Sequence, residues 1–537
     1  MNAVDAQVAR QSPTRFAVLL GAVIVQLILG TVYGYSIFWR PLSGEVFPEV
    51  ITAAEWADRT VGASAGEVAT GDLTVVADSA ERAGVIAKQQ GRLKYAFSIC
   101  ILSFALVMVF AGRVQDVTGP RIPALVGACL LGVGFLMAGL MRHGFIYVVA
   151  HAVLTAAVAA VLITVWRKTA HDVLKAGAKA GLVGAGVIAV VCVAAGILVG
   201  GKYVGTLGAA DRLLLLWGTI GLLAGAGIGF AYVCPIAALV KWFPKNKGLV
   251  SGVAVAGFGF GAYLFKGRGI GALGYIEQHG ITDFFLVHAA VCFVGVGIGA
   301  MLLRNPPALA HAGAAHAESA WRATLKRPAF YVLWLMFFSG AMAGLMVIGI
   351  VAVFAGEQLV AAAAEGGRSL VDADRAALLA KGAAAVGWLA IFNAVGRIVW
   401  GFVSDMVGRT RAFVAMFLLQ AVMMFLLGRM HTELTLAVAA SIVGFNFGGN
   451  FALFPSATAD LFGAKNLGAN YGWVFTSYGI AGVVGIAAGN TAKVMTGSYG
   501  AAFTVAACMC LVSAGLAVGL AMSGKKRAAA APALAGA

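Results

Sequence analysis

The chain is 537 residues long, 61% hydrophobic and 11% charged, with a formal net charge of +16. That balance excludes a soluble domain and points to an all-α polytopic membrane protein. Its 72 glycines agree, since small residues let membrane helices approach one another closely.

Residues 1–15 are short and polar, carry Arg10 and Arg15, and contain no cleavable signal peptide, so they are expected to form a cytoplasmic N-terminus. The first span, Phe16–Phe38, ends in the aromatic stretch GTVYGYSIFWRP. Residues 39–93 are polar and mixed in charge, too long for a hairpin loop, and read as an extracytoplasmic cap with short helices. Spans follow at Tyr95–Ala111 and Ile122–Met141. Two more, Phe145–Trp166 and Gly181–Gly200, are joined by the basic loop RKTAHDVLKAGAK. Leu213–Val240, Leu249–Leu264 and Phe284–Leu303 complete the first half, an N-terminal bundle over 16–303. A cytoplasmic linker, 304–328, carries RNPP, an Ala/His-rich tract and LKRP, and marks the midpoint.

The second half, 329–522, gives Tyr331–Phe354, an outer loop at 355–382, and Ala383–Val403. Ala412–Leu427, Leu434–Phe454, Tyr471–Ala488 and Ala501–Met522 follow, before a basic tail at 523–537. The total is about fourteen spans. Sorted by this topology, 21 Lys+Arg and 6 Asp+Glu fall on one side, against 16 and 16 on the other. This positive-inside pattern puts both termini in the cytoplasm of a cell's plasma (inner) membrane, and says nothing of nucleic acid. The seven cysteines lie in apolar spans at spacings that suggest neither disulfide nor metal site.

The halves repeat each other. GRVQDVTGPR (112–121) and GFVSDMVGRTR (401–411) share Gly, three residues, Asp, two residues, Gly, then a base. They involve Gly112, Asp116, Gly119 and Arg121 in one half, and Gly401, Asp405, Gly408, Arg409 and Arg411 in the other. WFPKNKGLVSG and LFGAKNLGANYG form a second matching pair. Repeated turns at equivalent places point to a duplicated bundle. Glycine permits a tight turn, while Asp and Arg pair or cap helix ends and hold the bundles together on one side. Both repeats survive if 145–200 is skipped, so that pair is expected to sit outside two pseudo-symmetric six-helix bundles.

Arg397 lies inside an apolar run, roughly 12 Å of helical rise from Asp405. An arginine there costs a few kcal/mol on insertion scales. No other span carries Asp, Glu, Lys or Arg at comparable depth, which suggests that its partner is the cargo. Asn393 is one turn away on the same face. The spans hold no paired carboxylates, His-rich cluster or nucleophile–base set, so no enzyme is expected. No GxxxxGK[ST] loop appears, which disfavours ATP-driven transport. No cofactor is implied. A transporter-like sensor or scaffold is the alternative of another class.

Through the two Gly–Asp–Gly–Arg turns, GIGFAYVCPIAALVKWFPKNKGLVSG (227–252), FNAVGRIVWGFVSDMVGR (392–409), GGNFALFPSATADLFG (448–463) and NYGWVFTSYG (470–479), the sequence resembles the major facilitator superfamily. More narrowly it resembles the oxalate/formate antiporter family, neighbour to the monocarboxylate porters. The resemblance implies a carrier of small organic anions. It places Arg397 on substrate carboxylate, Asn393 beside it, and Tyr33, Tyr232 and Phe447 on the cavity wall. Tyr478 stands where oxalate-exchanging members carry a lysine. One buried cation neutralises one carboxylate, so monocarboxylates of formate, lactate or pyruvate size are favoured over oxalate. Exchange for a counter-anion and proton symport both remain open.

Overall fold

A computed structural model describes residues 3–60, 73–141, 208–266, 272–307, 320–367, 371–382 and 384–534. The inserted pair expected at 145–200 and the middle of the linker lie outside the described residues. The first half contains α1 (Ala3–Leu29), α2 (Trp39–Val46), β1 (Glu49–Thr52), α3 (Ala53–Thr60), β2 (Leu73–Val76), α4 (Ser79–Thr118) and α5 (Arg121–Gly139). It continues through α6 (Ala209–Leu216), α7 (Ala224–Trp242), α8 (Lys247–Lys266), α9 (Ala272–His279), α10 (Ile281–Val291) and α11 (Gly297–Leu302). The second half contains α12 (Trp321–Leu325), α13 (Pro328–Glu365), α14 (Asp372–Gly382), α15 (Ala384–Val407), α16 (Arg409–Leu427), α17 (Glu433–Phe462), α18 (Leu467–Thr496) and α19 (Gly500–Leu534). Among the described residues, eleven helical segments are long and apolar enough to cross a membrane, and α8 is a shorter apolar helix beside them.

Several helices outrun the apolar stretches read from sequence. α4 is 40 residues long and starts inside the segment expected to be cap, because Asp78 accepts the Glu81 N–H at 2.8 Å and Glu81 accepts from Ala77 N. α13 continues to Glu365 and α14 follows it, so much of the expected loop 355–382 is helical. The first span stops being α-helical at Gly30, where a 3-10 segment, Gly30–Ile37, carries the chain outward. π-helical turns at Trp217–Leu223 and Cys292–Val296 interrupt two further spans.

The cap is not purely helical either. β1 and β2 pair in parallel, with Glu49 opposite Leu73 and Thr52 opposite Val76. Thr52 and Glu55 form a reciprocal cap on α3, at 3.2 and 2.9 Å. Arg59 grips Glu49 through two contacts, at 2.7 and 3.2 Å, and its guanidinium holds that carboxyl below the ordinary range. These pairs are exposed and contribute little stability, but they fix the geometry of a short sheet.

α4 packs along α18 and α8 along α15, and these two pairs chiefly join the halves. α1, α5 and α7 pack around the first-half members, and α13, α16, α17 and α19 around the second-half ones. The two repeated turns lie together at one end of the bundle, the turn end, and α4 rises from the sheet at the opposite one, the cap end.

Candidate functional site: an arginine box and a turn-end clasp

At the turn end, each repeated aspartate reaches across to the other half. Asp116, at the end of α4, accepts the Gly468 and Ala469 N–H groups at 3.0 and 2.8 Å. Asp405, near the end of α15, accepts the Gly248 and Leu249 N–H groups at 3.0 and 2.7 Å. Both thus bind the open N-terminus of a helix, where free N–H groups and the helix dipole favour an anion. The same bond pattern occurs twice, in equivalent places, from two different aspartates.

The glycines of the repeat divide their work. A Cβ on Gly112 would run into the Gly468 carbonyl, and one on Gly401 into that of Gly248. These first glycines therefore set the closeness of the helices and do not form the turn, as expected from sequence. The turns come from Gly119 and Gly408, whose φ values of 83° and 92° end α4 and α15. The bases differ. Arg409 pairs with Asp405 at 2.8 Å and with Asp460 at 3.0 Å, and also meets Ser404. Lys247 reaches the same Asp460 from the first half at 2.7 Å. Arg121 instead donates to the Leu303 carbonyl at 2.7 Å, tying α5 to the end of α11. Arg411 is exposed.

This packing predicts that Gly401→Ala lowers thermal stability by about 1–3 kcal/mol, the usual cost of overpacking. Gly387→Ala on the same helix, where nothing lies within 4 Å of the added carbon, is the control. Equal melting temperatures for the two variants would show that the contact is not tight.

Midway along α15 lies Arg397, with no exposed surface. It does not snorkel. Its Nε donates to Asn393 Oδ1 at 3.0 Å, one turn back. Its Nη1 donates to the Val255 carbonyl of α8 at 2.7 Å, so the side chain crosses between halves. The guanidinium carbon sits 4.4 Å from the Phe451 ring centroid and 5.6 Å from that of Phe258. Two aromatic rings, one from each half, give the charge partial compensation of about 0.5–2 kcal/mol apiece. Nη2 is buried and has no hydrogen-bond partner among the described residues.

The same rings gather the other candidates. Phe258 lies 5.3 Å from Tyr232, and Phe451 lies 5.4 Å from Tyr478 and 5.1 Å from Phe447. Phe475 bridges Tyr232 and Tyr478, at 5.4 and 4.8 Å. Tyr232, Tyr478 and Phe447 are all buried. Tyr33 lies on the 3-10 segment, and its side chain falls outside the described set. Sequence reasoning missed Phe451, Phe258 and the Val255 carbonyl. The spacing of Phe451, four residues after Phe447 on one helix face, was an available signal. Nothing distinguishes Phe258 or a backbone carbonyl before folding. Gln26 was missed too: its Nε2 donates to the Tyr232 carbonyl at 2.9 Å, bracing α7 against α1.

Comparison with known proteins places the chain. Residues 376–535, which carry Arg397 and the second turn, match the model of the Major Facilitator Superfamily. The uncharacterized MFS-type transporter YhjX of Escherichia coli is 31% identical over 297 residues, 55% of this chain and 69% of the relative. The oxalate:formate antiporter of Oxalobacter formigenes is 29% identical, over 54% of this chain and 65% of its own length. Apicoplast pyruvate carrier 1 of Toxoplasma gondii is 28% identical, over 48% and 56%. On the similarity to YhjX and the matched family model, this chain belongs to the major facilitator superfamily, with the oxalate:formate antiporter among its relatives.

Proposed function

We propose that the chain is a secondary carrier of small monocarboxylates, of formate, lactate or pyruvate size, working by alternating access. The observation that carries this reading is Arg397, a fully buried guanidinium with Nη2 unpartnered among the described residues. A charge at that depth is a functional site by default. A carboxylate would supply both the missing acceptor and the missing charge, and the planar fork is matched to two carboxylate oxygens. The names of two relatives, an oxalate:formate antiporter and a pyruvate carrier, concern the same class of anion.

The contact between Arg397 and Val255 gives the cycle a physical link. Nη1 now bonds to a carbonyl of the other half. An arriving carboxylate, being charged, is the stronger acceptor and competes for that donor. Loading would replace a tie between α8 and α15 by a bond to the cargo, so that the halves can part. In this scheme the turn end faces the cytoplasm, with both termini on that side, and the Asp116 and Asp405 clasp is its inner gate. Anion exchange and proton symport both fit the scheme.

Charge counting sets the size of the cargo's charge. Among the described residues, Arg397 alone places a cation on Phe258 and Phe451, and Tyr478 contributes a phenol. A dianion would leave one charge unpaired in a low-dielectric box. The second reading, oxalate exchange, is favoured by the named antiporter relative. Uptake by proteoliposomes separates them: labelled formate, lactate, pyruvate and oxalate are compared, with and without a pH gradient and an internal counter-anion. Monocarboxylates are expected to be taken up in preference. Oxalate preferred over all of them would end the charge-counting argument. Uptake of none by correctly inserted protein would leave a transporter-like sensor.

A further inference from the structure

We infer that the cap end of the second half holds a binding site for the phosphate headgroup of a membrane lipid. Two adjoining hollows of about 530 and 290 Å³ open there, and both are lined by Glu357 of α13 and Lys493 of α18. Lys493 donates to Glu357 at 2.7 Å and stands 5.2 Å from the Tyr499 ring centroid. These two contacts hold its ammonium at the junction of the hollows. One of its three donors is used by the carboxylate, and others remain for a ligand.

Arg375 of α14 lines the larger hollow and, among the described residues, makes no side-chain ion pair or hydrogen bond. The charged lining is therefore Lys493 and Arg375 against Glu357, one positive charge in excess. A phosphate fits that pattern: its oxygens accept from the guanidinium and from the ammonium, while Glu357 keeps the lysine in place.

The surroundings argue for a ligand with apolar chains attached. Val494 and Met495, directly after Lys493, are 85% and 79% exposed, and Val353 on the hollow's wall is 55% exposed. Large apolar side chains grouped beside cations suit a boundary between headgroups and acyl chains, where Tyr499 is also at home. Free phosphate or the carried anion would use the cations and make no contact with that apolar rim. Lys493 is fifteen residues beyond Tyr478 on one helix, roughly 22 Å along its axis, so the hollows are separate from the arginine box.

The test uses the full chain purified in detergent, with lipid retention read by native mass spectrometry. The probes are phosphatidylglycerol and a diacylglycerol of the same chains, which lacks the phosphate. Wild type is expected to retain phosphatidylglycerol about tenfold better, and Arg375→Gln/Lys493→Gln to lose that preference. Lys88→Gln, at an exposed site near the cap end, should keep it. If the double variant does not fold, raised salt on wild type must weaken phosphatidylglycerol and spare diacylglycerol. An unchanged preference in the variant or at high salt overturns the inference. Thermal protection by glycerol phosphate equal to that by phosphatidylglycerol assigns the hollow to a free phosphate and overturns it as well. None of these readouts depends on what the carrier transports.

Discussion

Arg397→Gln is expected to reduce carboxylate uptake at low substrate by about thirtyfold or more. Truncating one partner of a buried, hydrogen-bonded charge pair costs about 2–5 kcal/mol, and about 1.4 kcal/mol is a factor of ten. Arg397→Lys retains the charge but not the fork. It cannot donate to Asn393 and Val255 at once with the geometry of the guanidinium, so a loss of about tenfold or more is expected. A residue that merely ties α8 to α15 would behave differently. Its loss would loosen the halves while leaving substrate affinity intact. Thermal unfolding with and without substrate separates these cases, since a ligand that binds only the folded protein raises its melting temperature. Wild type should be protected by the transported acid, and Arg397→Gln should not. Normal uptake by Arg397→Ala at low substrate would remove the arginine from the binding site.

The second large effect is expected at the clasp. Asp116→Ala and Asp405→Ala each delete two backbone hydrogen bonds to a charged acceptor, each bond worth about 1.5–3 kcal/mol, and Asp405→Ala also deletes the ion pair with Arg409. Part of that is recovered because the freed helix N-termini can then bind water. A shift of about 2 kcal/mol per site towards a turn end that opens is therefore expected, roughly thirtyfold in the equilibrium. Ser251, on the first turns of α8 and wholly buried, reports on it. In a Ser251→Cys background, maleimide labelling should accelerate at least tenfold in Asp405→Ala, and further in the double variant. Asp405→Asn, which keeps one acceptor but no charge, should fall between. An unchanged labelling rate in the double variant would mean that the two bonds do not hold the turn end shut. The gate variants should also lower the rate of transport more than the affinity, because they act on the halves and not on the box.

Much of this arrangement was legible before folding, because membrane chemistry is severe. A helix crossing hydrocarbon must be apolar for about 20 residues, so the spans around α5, α16 and α19 stand out by composition. The same severity makes a lone Arg397 conspicuous, since a charge in that environment needs a reason. The repeated turns were visible because a reversal at a bilayer surface requires fixed chemistry. Gly119 and Gly408 supply the positive φ, and Asp116 and Asp405 supply the anion. The cap's parallel strands were not legible. Four residues such as EVIT carry too little periodicity to declare a strand, and they form one only because LTVV lies alongside.

By itself, then, the sequence determined the class and which residues were too polar or too conformationally special to be ordinary. Each of those properties belongs to one residue in its solvent. Only the tertiary structure decided what they meet: Asp116 on the start of α18, Asp405 on the start of α8, and Arg397 between Phe451 and Phe258 with Nη1 on the Val255 carbonyl. Those partners lie tens to hundreds of residues away, and three of them are backbone groups of a kind found all along the chain. No local signal can mark a carbonyl as the one an arginine will find; the packing of α8 against α15 does that.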